Sequence, residues 1–210
     1  MKKLLLAMSA LAALSLLVPS TGVAQPYYNQ IGIFTSQDAN PASASYTGAP
    51  GNFTAYVVII RPRNYHVGDP NSTIEGDIAV IGGFEFKIVV PAGVFVLGAT
   101  LPPTTANFHP DANNFFCGTN LPVNNGVATC VTLNLGAFSQ VESYFYLAPV
   151  NTVPTFPGYM ALTDYNDDFR ENLAYPASGS FDEPVFGLWP ATSVVPTEDA
   201  SWGELKTLYR

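Results

Sequence analysis

Positive charge is scarce in this 210-residue chain: 8 Lys and Arg stand against 16 Asp and Glu, the formal charge is −8, and only 11% of residues are charged. A typical soluble domain is about one quarter charged. Without a basic footprint the chain cannot displace counterions from phosphates, which excludes a sequence-independent nucleic-acid binder. A polybasic membrane-surface module is excluded for the same reason. Catalytic signatures are missing too. There is no Gly-x-Ser-x-Gly nucleophile elbow and no His-Glu zinc-protease motif, and the two histidines, His66 and His109, sit in loop-like text. Helical periodicity is nearly absent between residues 31 and 189. What is abundant is apolar and aromatic matter, 48% and 13% of the chain, too much for a disordered polymer.

One long apolar run exists, Leu4 to Val18, preceded by Lys2 and Lys3 and followed by the small-residue end Gly22-Val23-Ala24. It is shorter than the roughly 20 residues that span a bilayer, and the three-part order is that of a secretory signal peptide over residues 1–24, cleaved near Ala24. No Cys follows it for lipid attachment. Cleavage removes two cations and no acid, moving the balance from −8 to about −10. The expectation is a mature chain that is secreted, periplasmic or on the cell surface of a bacterium, with no membrane span.

From Ile31 to Trp189, short apolar runs alternate with Gly, Pro, Asn and Ser clusters, the pattern of strands and turns. In Phe84 to Val90, Phe84, Phe86, Ile88 and Val90 share one face while Glu85 and Lys87 share the other. This predicts one face toward a core and one toward water. Val127 to Leu135 alternates likewise, which would turn Val127, Thr129, Val131, Leu133 and Leu135 inward and Cys130 outward. Phe53 to Ile60 is apolar on both alternating sets, as for a central strand covered on both sides. Ile31–Thr35, Val94–Thr100, Ser143–Leu147 and Met160–Asp164 complete the expected set. The fold class is therefore all-β, a two-sheet antiparallel β-sandwich over residues 25–189, with a closed barrel as the alternative.

Cys117 and Cys130 are the only cysteines. In an oxidising compartment this spacing predicts a disulfide, which would add about 3 kcal/mol by loop closure. Residues 190–200, with Pro190 and Pro196, read as an extended linker. Ser201 and Glu204 then have capping-box spacing, and Trp202, Leu205, Leu208 and Tyr209 fall on one helical stripe. Residues 201–210 are thus expected to form a short amphipathic helix that docks, or a terminal tag, since ten residues do not hold a helix alone.

Three segments together resemble a group of largely uncharacterised secreted bacterial proteins: Ile31-Gly32-Ile33-Phe34, Gly83 to Pro91 with Val94 to Gly98, and the ending Trp202-Gly203-Glu204-Leu205-Lys206-Thr207-Leu208-Tyr209-Arg210. In that group chains with different middles share such an ending, which implies a tag for sorting, attachment or docking. The strand pattern is more loosely similar to cohesin and carbohydrate-binding-module sandwiches (cohesin-like or Ig-like). That likeness carries no binding residue onto this sequence.

Two features bear on chemistry. Asp164, Asn166 and Asp168 have the alternate spacing of calcium-loop ligands, and Glu171 could add an oxygen. The position that needs a turn-forming Gly, however, is Phe169, and a solvated turn is the competing reading. Loop aromatics, namely Tyr27, Tyr28, Tyr46, Tyr65 and Tyr165 with His66, could stack on sugars or fill a partner's pocket. The expected function is a non-catalytic extracellular or cell-envelope binding or structural module whose partner is an extracellular protein or a glycan. A carbohydrate-binding module is the first alternative, marked by a planar row of exposed Tyr or Trp. A cryptic hydrolase is the second, marked by a polar cleft with convergent acid and His.

Overall fold

A computed structural model describes residues 28–64 and 76–191. The expectations for the signal peptide 1–24, Tyr27, Tyr65, His66, the linker beyond Ala191 and the terminal segment 201–210 lie outside the described residues.

The chain is all-β, with fourteen strands among the described residues: β1 Gln30–Phe34, β2 Ser45–Tyr46, β3 Gly51–Ile60, β4 Arg63–Asn64, β5 Gly76–Asp77, β6 Val80–Val89, β7 Val94–Thr100, β8 Ala106–Asn107, β9 Asn114–Pro122, β10 Val127–Ala137, β11 Ser143–Ala148, β12 Met160–Asp164, β13 Arg170–Pro176 and β14 Phe186–Leu188. A single 3-10 turn, Pro41–Ser43, is capped by Asn40. No described helix is long and apolar enough to cross a membrane.

Twelve strands join one hydrogen-bonded network in the order β2-β14-β11-β6-β12-β13-β1-β3-β10-β7, with β9 on the other side of β6 and β8 beyond it. Most pairings are antiparallel, but β1–β13 and β14–β2 are parallel. The network is therefore mixed, a correction to the purely antiparallel expectation. The reason is that β13 lies along the free edge of β1, whose direction is already set by its antiparallel pairing with β3, and β14 lies along β2, far back in sequence.

β3 lies between β1 and β10, and as its two-sided apolar text demands, both faces are buried. Ala55, Val57 and Ile59 join the main core, and Val58 joins a second cluster with Phe34 and Ala177. The main core also takes Phe84, Phe86 and Ile88 of β6, Phe115 of β9, Phe145 and Leu147 of β11, Leu162 of β12, and Phe186 and Leu188 of β14. Phe86 stacks between Phe84 and Phe115, with ring centroids 5.7 and 5.1 Å away.

The cysteines overturn two expectations. Both are free and buried, so no disulfide joins them, and Cys130 faces the core rather than the surface. A register shift between Thr129 and Val131 in the pairing with β3 explains the second point. Such a bulge moves the alternation by one residue, so Ala128 and Cys130 turn inward before it and Val131, Leu133 and Leu135 after it. The Cys130 thiol donates to the Val57 carbonyl at 3.3 Å. Burial pushes the Cys117 thiol up to about 12 and the Cys130 thiol well above its ordinary value, with the nearby Cys117 adding to the rise.

Candidate functional site

The second surprise is the outward face of β6. Alternation predicts Glu85 in water, yet Glu85 is only 2% exposed. The segment between β11 and β12 folds across it, and the Thr155 amide and hydroxyl donate to its two carboxylate oxygens at 2.7 and 3.2 Å. Removal from water raises the Glu85 pKa above its ordinary value, the Thr155 hydrogen bonds oppose that rise, and the negative charge of Glu171 adds to it.

Cross-strand register explains what surrounds this carboxylate. On the outward face, Phe116 of β9, Glu85 of β6, Ala161 of β12 and Leu173 of β13 are successive partners across four strands. The neighbouring row is Gly118, Gly83, Thr163 and Glu171. Residues directly opposite share a face, so two glycines form a trough beside the acid. A methyl at Gly83 would stand 2.8 Å from the Cys117 carbonyl oxygen and 3.2 Å from Thr163 Oγ1. One at Gly82 would meet the Phe169 ring at 2.7 Å, and one at Gly118 the Phe108 ring at 3.3 Å. Phe108 and Phe169 thus lean over the glycine floor, one from the connection between β8 and β9 and one from the β12–β13 turn.

The result is a cleft of about 250 Å³ whose lining includes Glu85, Phe108, Phe116, Thr163, Phe169 and Glu171 and, among the described residues, contains no Lys, Arg or His. Its rings are open to solvent: Phe108 is 68% exposed, Phe169 51% and Phe116 45%. The Thr163 hydroxyl oxygen is buried yet has no hydrogen-bond partner, an unsatisfied group of the kind that native proteins keep rare. Asp168 and Phe169 hold φ of +49° and +56°, the left-handed region, which costs a residue with a side chain about 1–2 kcal/mol. This strain carries the Phe169 ring onto Gly82, and the edge contact with Tyr165, at 5.3 Å, steadies it.

The calcium arrangement does not form. Asp164 is buried, and its carboxylate accepts from Asn64 Nδ2 at 2.7 Å and from the Asn166 amide at 2.9 Å. Asn64 in turn accepts from Asn172 Nδ2 at 3.1 Å, so Asp164 fastens β4 to the β12–β13 hairpin. Asp168 is exposed on the turn, Glu171 faces the cleft, and among the described residues no three His, Cys, Asp or Glu gather to hold a metal. Phe169 does adopt the left-handed backbone that a Gly would supply, but the turn delivers a ring rather than a ligand.

Of the loop aromatics in the described residues, only Tyr165 reaches the cleft's edge. Tyr46 stacks on Phe53 at 4.2 Å and donates to the Ala49 carbonyl, and Tyr28 lies under Arg63 at 4.6 Å. His109 is a structural clip: its Nδ1 accepts from the Asp111 amide, so Nε2 carries the hydrogen and donates to Thr152 at 2.8 Å. A larger hollow of about 640 Å³ lies beside Tyr28, Arg61, Arg63 and Asp77, but Arg63 is already paired with Asp77 at 2.8 Å. Sequence reading missed Phe108, Phe116 and Phe169. The doublet Phe115-Phe116, one ring inward and one outward in a strand, is the signal that could have found the second.

No family model, no curated protein and no solved structure matches this chain.

Proposed function

We propose that this chain is a non-catalytic binding module exported by a bacterium, which recognises an extracellular or cell-envelope protein through the cleft over Gly82, Gly83 and Gly118. The observation that carries this reading is the set of three exposed phenylalanine rings around a glycine floor. Exposed apolar clusters of this kind mark interaction sites. Export rests on the three-part pattern of residues 1–24. The finer fold, two sheets packed as a sandwich, is supported by the main core that β1, β3 and β10 share with β6, β9, β11, β12 and β14. In this reading the ending from Ser201 to Arg210 caps, sorts or attaches the module.

A glycan partner fits less well. The rings that line the cleft are phenylalanines, and among the described residues its lining has no Tyr or Trp. A hydrolase fits less well again, because His109 is committed to Thr152 and Asp111 and lies outside the cleft lining.

The test is retention of the fluorescently labelled, purified protein on envelopes of the producing bacterium. Saturable retention is expected, with loss in a Phe108→Ala/Phe116→Ala variant that melts within a few degrees of the parent. Equal retention of that variant would remove the cleft from the function.

A further inference from the structure

The cleft presents an apolar trough with only negative charge. Glu85 and Glu171 line it, no cation among the described residues does, and a buried hydroxyl at Thr163 lacks a partner. The three rings offer π faces and edges to whatever enters. The complement of such a site has an unbranched apolar stem, narrow enough to lie on glycine between Phe108 and Phe169. Its tip must be positive and rich in hydrogen-bond donors. An ammonium group meets all of these demands: it is attracted by aromatic faces, it has three N–H donors and no acceptor, and it makes charge-assisted bonds to carboxylates.

Resting on the proposed binding function, we infer that the cleft takes a lysine side chain of the partner protein, its methylene stem over Gly83 and Gly118 and its ammonium between Glu171 and the Thr163 hydroxyl. Glu171 and Thr163 are direct cross-strand partners, so their side chains leave the same face side by side. Glu85 is held by Thr155 and supplies long-range negative charge rather than a direct contact. Among the described residues the lining has no basic residue to repel the lysine, and the acidity of the chain, with nine of its sixteen acids after residue 160, favours encounter with a basic partner.

The experiment is an amide NMR titration of the purified exported chain with Nα-acetyl-lysine methylamide, its norleucine counterpart and glucosamine. A lone side chain is expected to bind in the millimolar range. Saturable shifts should centre on Gly82, Gly83, Gly118 and Thr163, with the norleucine compound at least about tenfold weaker. Glu171→Gln, which keeps shape and removes charge, should weaken the lysine probe by a similar factor and leave norleucine unchanged. No saturable shift, equal binding of the norleucine compound, shifts away from the glycines, or an unaltered affinity in Glu171→Gln would each overturn the inference. A preference for glucosamine would overturn the protein occupant in favour of an amino sugar. If envelope retention depends on Phe108 and Phe116 while the lysine probe fails, the binding function stands without this ligand; if both fail, both fall.

Discussion

The two faces of β6 are built from alternate residues of one strand and have opposite characters. Inward, Phe84, Phe86 and Ile88 are large, apolar and locked among other rings. Outward, Gly83 and Glu85 leave a trough with a buried acid at its side. The inward face stabilises the fold by filling space, and the outward face makes a site by leaving space. What decides between them is the identity of the cross-strand neighbours. Phe84 meets Leu162 and Cys117, whereas Gly83 meets Thr163 and Gly118.

The contrast breaks most sharply at Phe86. Phe86→Ala removes a fully buried ring and should cost about 3–5 kcal/mol, a Tm fall of about 10 °C for a domain of this size, measured by thermal denaturation. Gly83→Ala acts from the other face. Its methyl meets the Cys117 carbonyl oxygen at 2.8 Å, and overpacking of this kind costs about 1–3 kcal/mol. Retention on envelopes should fall with it, because the new methyl lies on the floor of the trough.

Glu85 sharpens the comparison through pH. Its folded pKa is raised, chiefly by burial, so the protonated form stabilises the folded chain below the ordinary carboxyl value. That contribution is lost as pH rises through the raised value. Glu85→Gln should therefore raise the Tm at pH 7, with the difference shrinking to nothing in acid. A variant that melts lower at pH 7 would show that the Thr155 hydrogen bonds outweigh the burial.

The inward thiols give the smallest effect on stability. Cys117 and Cys130 should resist alkylation at pH 8 in the native chain, because burial excludes the reagent and their pKa values are raised. Both should react after denaturation without reductant. A denatured chain that takes up no label would mean that they are paired.

Much of the inward face was legible in advance. Val94–Thr100 and Met160–Asp164 match their expected bounds, and β3, β6, β10 and β11 differ by a few residues at their ends, because alternation of large apolar residues is a local property. Seven of the fourteen strands have no counterpart among the expected ones, and the two longest of these are Asn114–Pro122 and Arg170–Pro176. The first carries Asn, Gly and Pro among its apolar residues, and the second opens on Arg-Glu-Asn; both therefore read as loop. These are the strands that bring Phe116, Gly118 and Glu171 to the cleft. The bulge at Cys130 was equally invisible, since Val127 to Leu135 alternates without a break on paper and only the pairing with β3 shows the extra residue. A site made of glycines in register has no signature in one dimension. Gly83 and Gly118 are far apart in sequence and become one floor only through β6–β9 pairing.

The most direct test of the binding face is a crystal structure of the protein soaked with Nα-acetyl-lysine methylamide. The ammonium should lie against Glu171 and Thr163, with the stem over Gly83 and between the Phe108 and Phe169 rings. An empty cleft with the ligand bound elsewhere, or a side chain that enters with its nitrogen turned away from Glu171, would contradict the account.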